Sequence, residues 1–189
     1  KSKKILRTEI TPVLNQTNDL FARELNQKIC KRAPKLSDTI TYANSAIAAD
    51  AASFVVLVSE LFLKNKMCKG VEVLGSGTSG VIPEEAPLAP VGAIKALLDQ
   101  TEISLSNVTF IELMEAYAAQ AIMCTRLCDL DLDKINIRGG ALSRGHPIGA
   151  SGAILVVRLF NELIKTPGAT GMAAIAGAGG IGSAMMLKS

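Results

Sequence analysis

From residue 67 to the end, short apolar runs alternate with amphipathic ones, and this alternation constrains the fold more than any other feature of the chain. Strand-like runs at 71–76 and 108–112 are each followed by helix-like runs, at 90–100 and 116–127. A loop-strand around 136–141, a helix over 150–163 and two Gly-rich strands, 170–176 and 182–187, complete the series. Strand–helix alternation at this spacing predicts an α/β layered domain. Ser104-Leu105-Ser106-Asn107 reads as the loop feeding the second strand. Glycine is a poor strand former, so the final strands predict a close approach to their backbone.

The first 66 residues are less regular. Residues 9–13 read as a short strand ended by proline, and 21–32 as a helix stopped before Pro34. Residues 39–41 begin extended and an Ala-rich helix follows. Next comes the run Phe54-Val55-Val56-Leu57-Val58, which predicts a strand buried on both faces, then a helical tail ending near Lys66.

Composition narrows the functional classes. Hydrophobic residues make up 49% and charged residues 20% of the 189, which fits a folded domain and not a disordered segment. No apolar run is long enough to span a bilayer. The net charge of +3 is uneven: residues 1–35 hold nine basic and three acidic side chains, and the remainder is net acidic. A basic leader suits a solvated face or a phosphorylated ligand, whereas nucleic acid is disfavoured because no aromatic-interleaved basic motif appears. The four cysteines (Cys30, Cys68, Cys124, Cys128) show neither metal-ligand nor disulfide-framework spacing. Cys124 and Cys128 share a helix face and read as small core residues, and an intracellular, cytoplasmic, reducing setting is the simplest fit. The chain opens on Lys1, which reads as a cut, processed or incomplete start.

The chemistry-bearing candidate is NIRGGALSRGHPIGASG, residues 136–152, which holds the single histidine, His146, between Gly145 and Pro147. Imidazole titrates closest to neutral pH of any side chain, so it suits proton transfer or polarising a carbonyl. A satisfied histidine in a tight loop is the alternative reading of the same residues.

The run GGALSRGHPIGASG resembles the Gly-His-Pro loop of thiolases, acyltransferases that make or cleave 3-ketoacyl-CoA. Three further segments are similar to that family in the required order: ITYANSAIAADAA (40–52), IELMEAYAAQA (111–121) and GMAAIAGAGGIGSAMML (171–187). The resemblance runs from about residue 9 to the end and does not cover a whole thiolase. It implies a thiolase-like layered fold in three parts. Residues 1–38 would be the tail of the loop region covering coenzyme A, 39–66 the closing segment of a first domain, and 67–189 a complete C-terminal domain. The basic excess in 1–35 would then suit the CoA phosphates.

Carried over residue by residue, the resemblance makes His146 the catalytic histidine. It places Ser45 and Ala46 at the substrate-binding segment, with Ala46 where the family has serine. Ala178 would offer its backbone N–H to an oxyanion site, and Gly145 would contribute through backbone. Two positions depart from the pattern. Ala176 stands where the family has its proton-moving cysteine, and Met114 where it has a water-holding asparagine; neither side chain can move a proton or orient water. Glu115 could replace a lost acid, although in the family it is structural. The nucleophilic cysteine belongs to a first half outside these residues.

The resemblance therefore implies either half of an acyl-CoA acyltransferase, inactive alone, or a non-catalytic thiolase-fold subunit binding CoA or a partner protein. It implies no metal and no resident cofactor, with CoA thioester entering as substrate. The partner is expected to be a first-half chain or another copy, so the chain should not be monomeric alone. An unrelated nucleotide-binding module is disfavoured by the lack of a phosphate-loop motif.

Overall fold

The computed structural model describes residues 10–17, 22 and 25–189. Its sheet has four strands in the order β1-β4-β3-β2, where β1 is Glu72–Gly80, β2 Val108–Leu113, β3 Thr170–Gly177 and β4 Ile181–Lys188. β1 and β3 both pair antiparallel with β4, while β2 pairs parallel with β3. A three-residue turn closes the β3–β4 hairpin, with Gly179 and Gly180 at φ +84° and +89°, a region that disfavours side chains bearing a Cβ.

Helices cover both faces of this sheet. On β3, Met172 and Ala174 pack into one core with Ile94 and Leu97 of α3 (Ala89–Thr101) and Cys124 of α4 (Ala118–Leu127). Their neighbour Ala173 packs into a second core with Leu155, Leu159 and Leu163 of α6 (Ser151–Leu163). Alternate strand residues point to opposite faces, so the product is a helix–sheet–helix sandwich. Burial on both sides is why β2 and β3 appear in the sequence as largely apolar runs, whereas the edge strand β1 is mostly exposed. The glycines in them have the expected use. A Cβ at Gly77 would strike the α3 backbone at Ala93 and Leu97, and one at Gly182 would strike Ala89, so α3 lies directly on β1 and β4.

Outside this core, α1 (Gln27–Arg32) is capped by Asn26 and α2 (Glu60–Lys66) by Ser59. Among the described residues the remaining α-helix, α5 (Ala141–Arg144), is a single turn. No helix among the described residues is long and apolar enough to cross a membrane.

The first 66 residues depart from expectation. Of the 9–13 strand, Glu9 lies outside the described residues; Val13 makes only an isolated bridge to Gln16, while 10–12 carry no ladder. Of the 21–32 helix, Phe21, Arg23 and Glu24 lie outside them, and the helix found starts at Gln27. The Ala-rich stretch after Thr41 is not helical: its backbone is drawn into isolated bridges at Ser45 and Ala48. The run 54–58 is irregular and outside the core, with Phe54, Val56 and Leu57 exposed by 85%, 84% and 81%. A strand needs a neighbour for its N–H and C=O groups. No strand forms over 136–141: the parallel bridge to β2, Ile111 to Ile135, lies just before it, and the chain then turns at Asn136 (φ +46°) toward α5.

Candidate active site

His146 sits in a turn set by its neighbours. Gly145 ends α5 at φ +95°, donates its N–H to Ala141 O at 2.8 Å, and is buried. A Cβ there would crowd the Ala49 methyl at 2.8 Å, so this glycine is required by both conformation and space. His146 N–H donates to Ile47 O at 2.7 Å, making a parallel bridge with Ala48. Pro147 then opens the turn into α6, its carbonyl accepting the N–H groups of Ala150 and Ser151 at 2.9 Å each. The ring Nδ1 lies 2.7 Å from the Oγ of Ser151, a residue only 4% exposed.

The segment around Ser45 joins this turn to a third one. Ala46 N–H donates to Ala116 O at 2.9 Å, Ala118 N–H to Asn44 O at 2.8 Å, and Ser45 bridges Tyr117 antiparallel. Asn44 is itself fixed by Thr41 N–H and Thr39 O. Residues 44–48 thus form a backbone rung between 116–118 and His146, and three segments singled out from the sequence converge through main-chain bonds. Met114 enters through its N–H to Ala174 O at 2.9 Å. Ala176 is half-buried two residues further along β3, and Ala178 is exposed at the hairpin turn.

Two polar clusters lie beneath the loop, and of their members only Glu115 was singled out from the sequence. Asn136 uses its amide as a substitute strand, Oδ1 accepting from Leu113 N at 2.9 Å and Nδ2 donating to Leu113 O at 2.9 Å and Glu115 Oε1 at 2.6 Å. Glu115 Oε2 accepts Leu142 N–H at 3.1 Å at the start of α5. A Cβ on Gly140 would strike that carboxylate, which explains the second glycine of the Gly139-Gly140 pair. Glu115 is thus engaged as a clamp between β2 and the histidine loop. Beside it, Arg158 of α6 pairs with Glu112 at 3.0 Å, with side chains 5% and 4% exposed, and donates from Nη2 to Gly139 O at 2.8 Å. Arg138 pairs with Glu162 one turn further along α6. The sequence signal for these charges was weak: acidic and basic residues at the ends of apolar runs, with partners up to 46 positions apart.

Burial and then the nearby Arg144 charge lower the His146 pKa from its ordinary 6.5, so the ring is neutral at pH 7. A neutral imidazole can accept a proton at one nitrogen while donating from the other. The Cys124 and Cys128 thiols are pushed the other way by burial, Cys128 to about 11, and suit packing, not nucleophilic attack. Met114 is 3% exposed and belongs to the second core. Away from the histidine, a cavity of about 400 Å³ is lined by Lys28, Ile29 and Arg32 of α1 with Pro34, Tyr42 and Ala43. Lys28 and Arg32, four apart on one face of α1, bring two basic side chains of the leader to this concave surface.

Comparison with known proteins places this arrangement. Residues 68–189 match the family described as thiolase, C-terminal domain. Over 154 residues the chain is 40% identical to YhfS of Bacillus subtilis (strain 168), provisionally named an acetyl-CoA C-acetyltransferase, covering 80% of this chain and 42% of that protein. The crystal structure of Bacillus anthracis acetyl-CoA acetyltransferase superposes with a TM-score of 0.85 at 30% identity, covering 90% of this chain and 44% of that one. Human mitochondrial 3-ketoacyl-CoA thiolase gives 0.82 at 29% identity, with 91% and 45% coverage. Acat5 thiolase from Ascaris suum, solved in complex with coenzyme A, gives 0.85 at 30% identity, covering 98% of this chain and 50% of that one. The chain spans less than half the length of the curated relatives it matches. With the family match extending over well more than half of its residues, the chain belongs to the thiolase family.

Proposed function

We propose that these residues form the C-terminal half of a thiolase-type acyl-CoA acyltransferase unit, working in 3-ketoacyl-CoA thiolysis or acetyl-CoA condensation. The carrying observation is the backbone rung that holds half-buried, neutral His146 against residues 44–48, and those in turn against 116–118. In this reading His146 takes the proton of a cysteine nucleophile supplied by a first-half polypeptide. Ser45 and Ala46 border the acyl group, Ala178 offers its exposed backbone N–H to an oxyanion, and Gly145 shapes the turn. The division is 1–38 for the tail of the CoA-covering region, 39–66 for the end of a first domain and 67–189 for the second. The cavity bearing Lys28 and Arg32 suits the nucleotide end of CoA, two cations facing its phosphates. The exposed apolar run 54–58 suits pairing with a first-half sheet or, failing that, with another copy. Four free thiols, two of them exposed, suit an intracellular, cytoplasmic setting.

A second reading is favoured by Met114 and Ala176. Met114 is packed in the core and Ala176 presents only a methyl, so neither the water-holding nor the proton-moving function is met by these side chains. A non-catalytic thiolase-fold subunit that binds CoA or a partner protein fits those two positions. The test is turnover of acetoacetyl-CoA and acetyl-CoA by the purified 189 residues, alone and mixed with a nucleophile-bearing first half. The expected result is no turnover alone, with turnover in the mixture that rises on Ala176→Cys and Met114→Asn. Substantial turnover by the isolated chain refutes the proposal, and CoA binding without turnover in any mixture selects the second reading.

A further inference from the structure

The Ser151 hydroxyl faces two groups at once. It lies 2.7 Å from His146 Nδ1 and 3.0 Å from Pro147 O. A carbonyl oxygen has no proton to give, so the contact with Pro147 is a hydrogen bond only if serine is the donor. Such back-bonding to the carbonyl four residues earlier is common for serine in a first helical turn. A hydroxyl carries one proton. With that proton directed at Pro147, the contact with Nδ1 requires the ring to donate. Ser151 is buried, and the backbone that fixes its position is itself fixed: its own N–H and that of Ala150 both donate to Pro147 O, and His146 N–H is held by Ile47 O.

We infer that Ser151 is a positioning residue for His146, locking the neutral imidazole as the Nδ1–H tautomer and leaving Nε2 as the nitrogen that accepts a proton. The use of that tautomer rests on the acyl-transfer reading above. In that reaction the nucleophile's thiol proton passes to Nε2, the S–H electron pair stays on sulfur as thiolate, and the ring becomes imidazolium with Nδ1–H still donated to Ser151. A ring held in the opposite tautomer would present a proton to the thiol and could not take one. Ser151 touches no reacting atom and acts through the histidine.

His146 is the only histidine of the chain, so a sample labelled with ¹⁵N-histidine reports this ring alone. The spectrum is taken above the histidine titration, where the ring is neutral. The expected wild-type result is a protonated, pyrrole-type Nδ1 and an unprotonated, pyridine-type Nε2. Ser151→Ala loses this preference, and Ser151→Thr, which keeps the hydroxyl, retains it. Ser151→Cys keeps the size with a weak acceptor and is the second variant should the alanine protein not fold; it too loses the preference. A wild-type ring protonated mainly at Nε2, or an unchanged Nδ1 preference in the folded Ala or Cys variant, overturns the inference. The spectrum is read on the unreacted chain, so it stands or falls separately from the turnover assay.

Discussion

Arg158→Met is the substitution whose cost follows most directly from the structure. Arg158 and Glu112 are 5% and 4% exposed at the side chain and meet at 3.0 Å between α6 and β2. Removing the guanidinium leaves Glu112 buried without the cation it is paired with, and strips Gly139 O of the donor from Arg158 Nη2. Breaking a buried pair from one side costs about 3–5 kcal/mol, because the remaining charge keeps its desolvation penalty. Methionine keeps much of the buried volume, so little of that figure is cavity. With a urea slope of about 2 kcal/mol per molar, a loss of about 4 kcal/mol moves the unfolding midpoint down by about 2 M. That is a large share of the roughly 5–15 kcal/mol that holds a domain together.

The paired control is Glu112→Leu with Arg158→Met. Deleting both charges removes the penalty with the attraction, and such exchanges are often neutral. What remains is the Gly139 carbonyl without its donor, worth about 1–3 kcal/mol. The double variant should therefore unfold at higher urea than Arg158→Met alone. Equilibrium unfolding followed by circular dichroism, with slopes compared to confirm a common transition, makes the measurement. A single-variant loss under about 1 kcal/mol, or a double variant no more stable than the single, refutes the reasoning, since a pair cut off from water produces neither.

Two further expectations concern the loop itself. Gly140→Ala should lower the melting temperature, because its Cβ strikes the Glu115 carboxylate that clamps Asn136 to Leu142; overpacking of this kind costs about 1–3 kcal/mol, and an unchanged melting curve would show that the clamp yields. His146 should titrate below 6.5 by NMR, burial being the larger cause and Arg144 the smaller, so Arg144→Leu should raise the value without restoring it fully; a wild-type value at or above 6.5 contradicts the burial argument. The folded value is depressed, so the unfolded chain binds the proton more readily. The stability linked to His146 is complete above about pH 6.5 and is lost as pH falls through the folded value.

The middle of the sheet was legible because it is largely buried, and β2 and β3 announce themselves as apolar runs. β1 and β4 are marked instead by glycines within short apolar stretches, and α6 shows Leu155, Leu159 and Leu163 at helical spacing. The histidine turn was legible because glycine and proline mark sharp backbone changes directly. Residues 42–58 were misleading for a related reason. Alanine favours helix, yet each propensity is worth only tenths of a kcal/mol, less than the main-chain bonds that Ala46 makes to Ala116 and Ile47 to His146. Phe54 to Val58 has the composition of a buried strand but no sheet edge beside it among the described residues. Asn136 and the Glu112–Arg158 pair were invisible because their meaning lies in contacts 23 and 46 positions away. Ser151 was nearer to hand: a hydroxyl five residues after a histidine, across a proline turn, falls within reach of its ring.

The bonds that tie residues 44–48 to the other two segments, and Met114 to β3, are main-chain: His146 to Ile47, Ala46 to Ala116, Ala118 to Asn44, Met114 to Ala174. They do not depend on which side chains stand at 114 or 176, so the scaffold keeps its shape whichever groups occupy those two positions. The two positions are not equally free, however. Ala176 is half-buried near the end of β3, and a thiol there adds one small, weakly polar atom. Met114 is 3% exposed among Leu155, Leu159 and Ala173, where an amide brings two donors and an acceptor that need partners. An amide left unsatisfied at that depth costs about 1–3 kcal/mol, so Met114→Asn is the costlier substitution of the two.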